Sequence, residues 1–318
     1  RGLGDVYKRQ MNRNKKALVI FHRVDFDGTS SMCIAVKSLY DEGYQVNKTG
    51  YNYGDEIPEM YVDKNGRPYD LICMVDISFP PEIMLQVWEH YGDNFIFIDH
   101  HVSSIESSIQ NNYTGIKGIR EIGPAACELT WRFFCPGQDI PEFIRLLGVY
   151  DTWRKDEVGE DDWQDVILPL QSGLKFKYGL NPDTWLYEFP NLCFWEDRLT
   201  EVIELGTILK QNQDKINKGV VKSFSFPVTV AGKYRGVCVI GTAFSSTVFN
   251  SVLNDYDIYI VCNRRDKGVY SISMYKEPDR IPEFSCAGYR GIIFGHKSAG
   301  GGTLNFEQFK TLIEDCEI

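Results

Sequence analysis

The first half of the chain is built from short apolar runs, each stopped by a polar or charged residue and followed by a segment of helical spacing. Leu18-Val19-Ile20-Phe21 stops at His22, and past Asp25-Phe26-Asp27-Gly28 the apolar positions recur at helical intervals over residues 29–42, ending at Gly43. Residues 69–75 read as the next strand, closed by Asp76, and Pro80-Pro81-Glu82 opens a helix to residue 91, proline being favoured in a first turn. Phe95-Ile96-Phe97-Ile98 is a third strand, closed by Asp99-His100-His101. Residues 124–134 and 141–150 read as two more helices, the second ending at Asp151. Strands alternating with helices predict an α/β fold around a mainly parallel sheet with right-handed crossovers.

The pattern changes near residue 155. An acidic loop, 156–165, leads into a stretch of no clear period, and residues 195–221 read as a long polar helix suited to bridging domains. Strand-like runs follow at Val228-Thr229-Val230, Val237-Cys238-Val239-Ile240, Ile258-Tyr259-Ile260-Val261 and Tyr270-Ser271-Ile272-Ser273. They predict a smaller α/β domain that ends in Gly295-His296-Lys297-Ser298-Ala299-Gly300-Gly301-Gly302. The expected organisation is therefore a domain over 11–194, a linker helix over 195–221 and a second domain over 222–318, which a length of 318 residues accommodates. Residues 1–10 lack periodicity, resemble translated adapter sequence and are set aside as a non-native leader.

Composition narrows the partners. A net charge of −10 and a pI near 5.1 exclude a broad basic face that coats long duplex nucleic acid, while a small phosphate ester held by local cations or metals stays open. Nine scattered cysteines without a Cys-x-x-Cys pair read as free thiols in a reducing compartment. No apolar stretch approaches the roughly 20 residues that span a bilayer. A cytoplasmic protein without a membrane partner is expected.

Four of the five histidines, His22, His100, His101 and His296, stand beside strand ends, aspartates or glycine-rich turns; His90 reads as a solvated helix end. In an open parallel sheet all strand C-termini share one edge, so His22, Asp25, Asp27, Asp76, Asp99, His100 and His101 are expected to gather there, with Asp151 joining from its helix end. That much negative charge repels itself unless cations neutralise it, and a mixed carboxylate and imidazole shell suits manganese, or iron or cobalt, better than calcium. Five or six ligands are too many for one ion with an open position. They suit two ions about 3.5–4 Å apart, bridged by one carboxylate, that stabilise in-line displacement at phosphorus. Asp76, alone on its strand end, is the candidate bridge, and Asp99 is read as a support that orients a neighbouring imidazole. The glycine-rich segment is either a flexible turn or, through His296 and Lys297, an anion cradle. Arg264 and Arg265 read as solvated surface, and Tyr275, Phe284 and Tyr289 as core.

In this order the chain resembles the DHH phosphoesterase superfamily from Lys16 onward. The motifs that carry the resemblance are His22-Arg23-Val24-Asp25-Phe26-Asp27-Gly28, Val75-Asp76-Ile77-Ser78, Ile98-Asp99-His100-His101, Gly148-Val149-Tyr150-Asp151 and Gly295-His296-Lys297-Ser298-Ala299-Gly300-Gly301. The resemblance implies a catalytic domain with two manganese ions and a C-terminal DHH-associated domain. His22, Asp25 and Asp76 would hold one ion, and Asp27, Asp76, His100 and Asp151 the other. His101 would contact the scissile phosphate, and Gly295, His296, Lys297, Gly300 and Gly301 would hold the substrate. Cys127-Glu128-Leu129-Thr130-Trp131 is most similar to the nano-RNase and cyclic-nucleotide phosphodiesterase branch. Three positions depart from the family pattern: Arg23 fills a place that is often polar or ligating, Phe294 replaces a glycine, and Ser271-Ile272-Ser273-Met274 lacks an arginine that many members carry.

The implied function is hydrolysis of short oligonucleotides, linear dinucleotides and cyclic nucleotides to nucleoside monophosphates, by two-metal hydroxide attack with Asp76, Asp99, His100 and His101 in the catalytic set. A pyrophosphatase-like phosphohydrolase, a single-strand exonuclease and a catalytically inactive nucleotide-binding module are the alternatives. A homodimer is left open.

Overall fold

Apolar runs that are covered on both faces dominate the first sheet. In the computed structural model, which describes residues 15–314 except 254, 277–279, 287, 292 and 296–298, the chain divides after Leu209 into two compact units. The leader expected at residues 1–10 lies outside the described residues. The first unit holds β1 (Lys16–His22), α1 (Phe26–Asp41), β2 (Gln45–Tyr51), β3 (Leu71–Val75), α2 (Pro81–Tyr91), β4 (Phe95–Ile98) and α3 (Val102–Gln110). The four strands are parallel, in the order β2-β1-β3-β4. Val19, Phe21, Cys73, Val75, Ile96 and Ile98 face one core, and Leu18, Ile20, Ile72, Met74, Phe95 and Phe97 face another. This double coverage is why β1, β3 and β4 read as continuous apolar runs.

β2 has no such run. Its sequence alternates Val46, Lys48 and Gly50 with polar residues, and the strand exists through a seven-residue pairing with β1 from Lys16↔Gln45 to His22↔Tyr51. Tertiary pairing here overrides a weak local pattern.

α1 starts where Asp25 caps it, its side chain accepting a hydrogen bond from Gly28 N at 2.8 Å. A Cβ on Gly28 would overlap the carbonyl oxygen of His22, so the helix begins in backbone contact with the end of β1. α4 (Ala126–Phe134) and α5 (Glu142–Asp151) complete the helical layer beside it. The stretch that lacked a period is helical: short turns over 155–167 lead to α6 (Leu168–Lys177) and α7 (Pro182–Phe194). Its buried positions, Trp163, Ile167, Leu170, Leu174, Trp185 and Phe189, are spread over several short helices, so no single period emerges.

α8 runs Glu196–Phe224, and the division between the units falls within it. The second unit is a mixed sheet of β5 (Ser225–Val230), β6 (Tyr234–Gly241), β7 (Ile258–Asp266), β8 (Val269–Tyr275), β9 (Phe294–Gly295) and β10 (Ala299–Asn305), followed by α9 (Phe306–Glu314). Its order is β5-β6-β7-β8-β10-β9, with only β6 and β7 parallel. The described part of the glycine-rich segment is sheet and not a flexible turn. Gly300 pairs with Met274 and Gly295, and Gly301 with Ser273 and Phe294. His296 and Lys297 lie outside the described residues. Among the described residues every cysteine is a free thiol, and no helix is long and apolar enough to cross a membrane.

Candidate metal centre

β1 has β2 on one side and β3 on the other, so consecutive crossovers leave it in opposite directions and a crevice opens at the C-terminal ends of β1 and β3. His22 ends β1, Asp76 follows β3, and Asp99-His100-His101 follow β4. Because β3 lies between β1 and β4, Asp76 lies between the two imidazoles. His22 Nδ1 is 2.5 Å from Asp25 Oδ2 and 3.5 Å from Asp76 Oδ2. His100 Nε2 is 3.3 Å from Asp76 Oδ1, 3.5 Å from Asp151 Oδ2 and 3.6 Å from Asp27 Oδ2. Three sets of donor atoms each fall within 4.8 Å: His22 with Asp25 and Asp76, Asp27 with His100 and Asp151, and Asp76 with His100 and His101. Asp76 turns one oxygen to each half.

The local chain fixes each of these groups. Asp27 accepts hydrogen bonds from Ala126 N at 2.9 Å and Cys127 N at 2.7 Å, so the positive N-terminal turn of α4 holds its carboxylate. Within the Cys127–Trp131 motif, Cys127 thus reaches the centre through its main-chain amide. Asp76 has φ 60°, a left-handed backbone that costs a non-glycine residue roughly 1–2 kcal/mol, least for aspartate and asparagine, and its amide donates to Ile98 O at 2.9 Å. Asp99 is fully buried, and its Oδ1 accepts from His100 N, His101 N and His101 Nδ1, the last at 2.7 Å. His101 is left with Nε2 for an outside partner.

Sequence reasoning missed a supporting set. Asn52 Oδ1 lies 3.2 Å from His22 Nε2 and holds that edge of the ring, so that Nδ1 faces the carboxylates. Asp55 accepts from Asn52 N at 2.8 Å and pairs with Arg23 through two contacts of 3.1 Å, so Arg23 clamps this loop and lies outside the donor sets. On the opposite side, Glu128 Oε2 accepts from Ala125 N at 2.8 Å and from Arg154 Nη2 at 2.5 Å, tying the helix start that holds Asp27 to the segment after Asp151. A Cβ on Gly148 would overlap that same oxygen. The one signal for this in sequence is Glu128 standing three residues after a helix start, half of a capping box.

Burial first, and then the neighbouring carboxylates, push Asp27 and Asp76 up to about 8 and Asp151 up to about 7. Burial works against a charge on His22, but hydrogen bonds and charge from Asp25 and Asp76 outweigh it and raise the imidazole to about 10. The bond to Asp99 raises His101 to about 9. Without a cation, then, the protein carries buried carboxyl groups that resist ionisation at neutral pH. Asp76 Oδ1 is buried and makes no hydrogen bond. An orphaned carboxylate oxygen facing a second carboxylate set and an imidazole fits a divalent cation, and the mixed donor set fits a first-row transition ion. Gly295, Gly300 and Gly301 belong to the second unit.

No family model matches the chain. It is 21% identical over 342 residues to an uncharacterized protein of Acanthamoeba polyphaga mimivirus, covering 96% of this chain and 72% of that protein. Its structure is similar to that of a DHH domain from a member of a family of ribosomal proteins, with a TM-score of 0.58, 12% identity, and coverage of 98% of this chain and 88% of the other. It is also similar to RecJ in complex with Mn2+ from Thermus thermophilus, with a TM-score of 0.51, 12% identity, and coverage of 98% and 53%.

Proposed function

We propose that this chain, which has the fold of the DHH superfamily, is a manganese-dependent phosphodiesterase that hydrolyses dinucleotides and other short oligonucleotides to nucleoside monophosphates, with cyclic nucleotides as further substrates. The observation that carries the reading is the position of Asp76, shared between the His22 and Asp25 pair on one side and His100 on the other. His22, Asp25 and Asp76 are the proposed ligands of one ion, and Asp27, Asp76, His100 and Asp151 those of the other. Manganese is the ion in the RecJ structure of similar fold. A pair of divalent ions supplies an activated water and neutralises charge at phosphorus.

The chain's own residues do the rest. The α4 amides keep Asp27 fixed as an acceptor, and Asn52 holds the Nε2 edge of His22, so Nδ1 is the nitrogen that would meet a cation. Asp99 orients His101 and holds it charged at neutral pH, so its Nε2 proton can meet a non-bridging phosphate oxygen as negative charge develops. Gly295, His296, Lys297, Gly300 and Gly301 are the proposed substrate-holding residues of the second unit.

A substrate panel with manganese tests the reading, using dinucleotides, longer single-stranded oligonucleotides, cyclic mono- and dinucleotides and pyrophosphate, with Asp76→Ala as the blank. Dinucleotides should turn over fastest, and Asp76→Ala should lose at least about 10²–10³-fold. Cleavage of pyrophosphate in preference to every diester would establish the pyrophosphatase alternative. Wild-type turnover by Asp76→Ala would remove the centre from the chemistry.

A further inference from the structure

Two residues past Asp151 the chain breaks a local rule. Trp153 follows the C-cap of α5 with φ 57°, the left-handed position where helices place glycine. The turn is closed by Thr152 N to Gly148 O at 3.1 Å, Trp153 N to Tyr150 O at 3.2 Å and Arg154 N to Val149 O at 3.0 Å. A bulky residue held in this conformation is ordinarily compensated by burial, yet Trp153 is 64% exposed.

The ring is nevertheless fixed. It meets the buried Trp163 edge-on with centroids 4.8 Å apart, and Tyr150 at 6.3 Å. The next residue, Arg154, is anchored by Glu128 at 2.5 Å and by Thr152 Oγ1 at 2.7 Å. The result is a strained backbone that supports a braced indole, most of it in solvent, two residues past a donor of the candidate metal centre. Such local inconsistencies collect at functional positions.

We propose that Trp153 is the platform on which a nucleobase of the substrate stacks, which makes it the residue that selects nucleotides over base-free phosphate esters. The inference rests on the phosphodiesterase reading for the position of the phosphate, and on the two-residue step along the chain from Asp151 for the position of the ring. Every base has a π face, so the platform accepts all four bases.

The test is calorimetric binding to the manganese-loaded full chain of AMP, CMP and UMP, each against ribose 5-phosphate. Wild type should prefer the nucleotides by about tenfold or more, Trp153→Gly should bring the two within about twofold, and Trp153→Phe should restore most of the preference. Glycine also relieves the left-handed backbone, so the melting temperature of Trp153→Gly should be equal to or above that of wild type. An unchanged preference in Trp153→Gly, or none in wild type, overturns the platform, and a lowered melting temperature with the preference intact marks Trp153 as structural. If wild type hydrolyses no diester but the preference is present and vanishes in Trp153→Gly, the phosphodiesterase reading fails and the platform stands.

Discussion

The Asp27 and Asp76 edge of the first unit and the buried asparagines of the second meet the demands of polar burial in opposite ways. In the first, Asp27 and Asp76 are buried side by side at one sheet edge, each pushed toward its neutral form by burial and charge, and Asp76 Oδ1 has no hydrogen bond. In the second, Asn263 is buried with both arms on the main chain, Nδ2 donating to Phe244 O at 2.6 Å and Oδ1 accepting from Phe244 N at 2.8 Å, and Asn217 Nδ2 donates to Thr247 O at 3.2 Å. Neutral groups satisfied in this way cost little, whereas buried charge without a partner costs several kcal/mol by order of magnitude. Among the described residues every set of clustered ligand donors lies in the first unit. Asn263 and Asn217 are satisfied within the fold, whereas Asp27 and Asp76 leave the sheet edge of the first unit electrostatically loaded.

That contrast breaks most sharply at Asp76. Asp76→Asn should bind fewer than two manganese ions per chain where wild type should bind two, with an affinity loss greater than the roughly 10–100-fold typical of an outer-shell partner. Two tightly held ions in the variant, by elemental analysis, would refute the shared ligand.

The pH response comes next. Asp27 and Asp76 at about 8 lie above the ordinary carboxyl value of 3.8, and His22 at about 10 and His101 at about 9 lie above 6.5. Each group binds more protons folded than unfolded, so metal-free stability should fall as pH rises, through about 4 to 8 for the carboxyls and 6.5 to 10 for the imidazoles. Melting with a chelator should be higher at pH 5 than at pH 8, and manganese should raise it more at pH 8. The reverse order would mean the edge is not electrostatically loaded.

Asn52→Ala should lower manganese affinity by about 10–100-fold by freeing the far side of His22, read by titration calorimetry, and an unchanged affinity would remove Asn52 from its support. Gly28→Ala should cost about 1–3 kcal/mol in urea unfolding, because the new methyl meets His22 O, and equal stability would show that the helix start can withdraw from β1. Asn263→Ala should cost about 1 kcal/mol or somewhat more with manganese binding as in wild type; a loss of metal would mean that the two kinds of polar burial are coupled.

The strand ends were readable because an apolar run that stops abruptly at Asp or His marks where a buried strand meets a polar edge, as at Val75-Asp76 and Ile98-Asp99. β2 was not, since its alternating polar sequence takes its strand character from β1. The donor residues were readable as types, but their supports were not. Asn52 reaches His22 across a loop, Ala126 and Cys127 act through amides that carry no side-chain signature, and the left-handed backbone of Asp76 is set by its neighbours. The helices from 155 to 194 escaped because their buried residues are divided among several short segments.

The strand order has a consequence for assembly. β3 is third in the chain but sits between β1 and β4, so Asp76 acquires its imidazole neighbours only after the strands on both sides have paired. A nascent chain that has formed only β1, α1 and β2 holds His22 and Asp25 but not the Asp76 carboxylate they share with His100. On the proposed reading, cation binding would be linked to the completed sheet and would stabilise it by mass action, as RT ln(1 + [M]/Kd) for each site, so the ion would act as a latch on a finished domain and not as a nucleus for its folding.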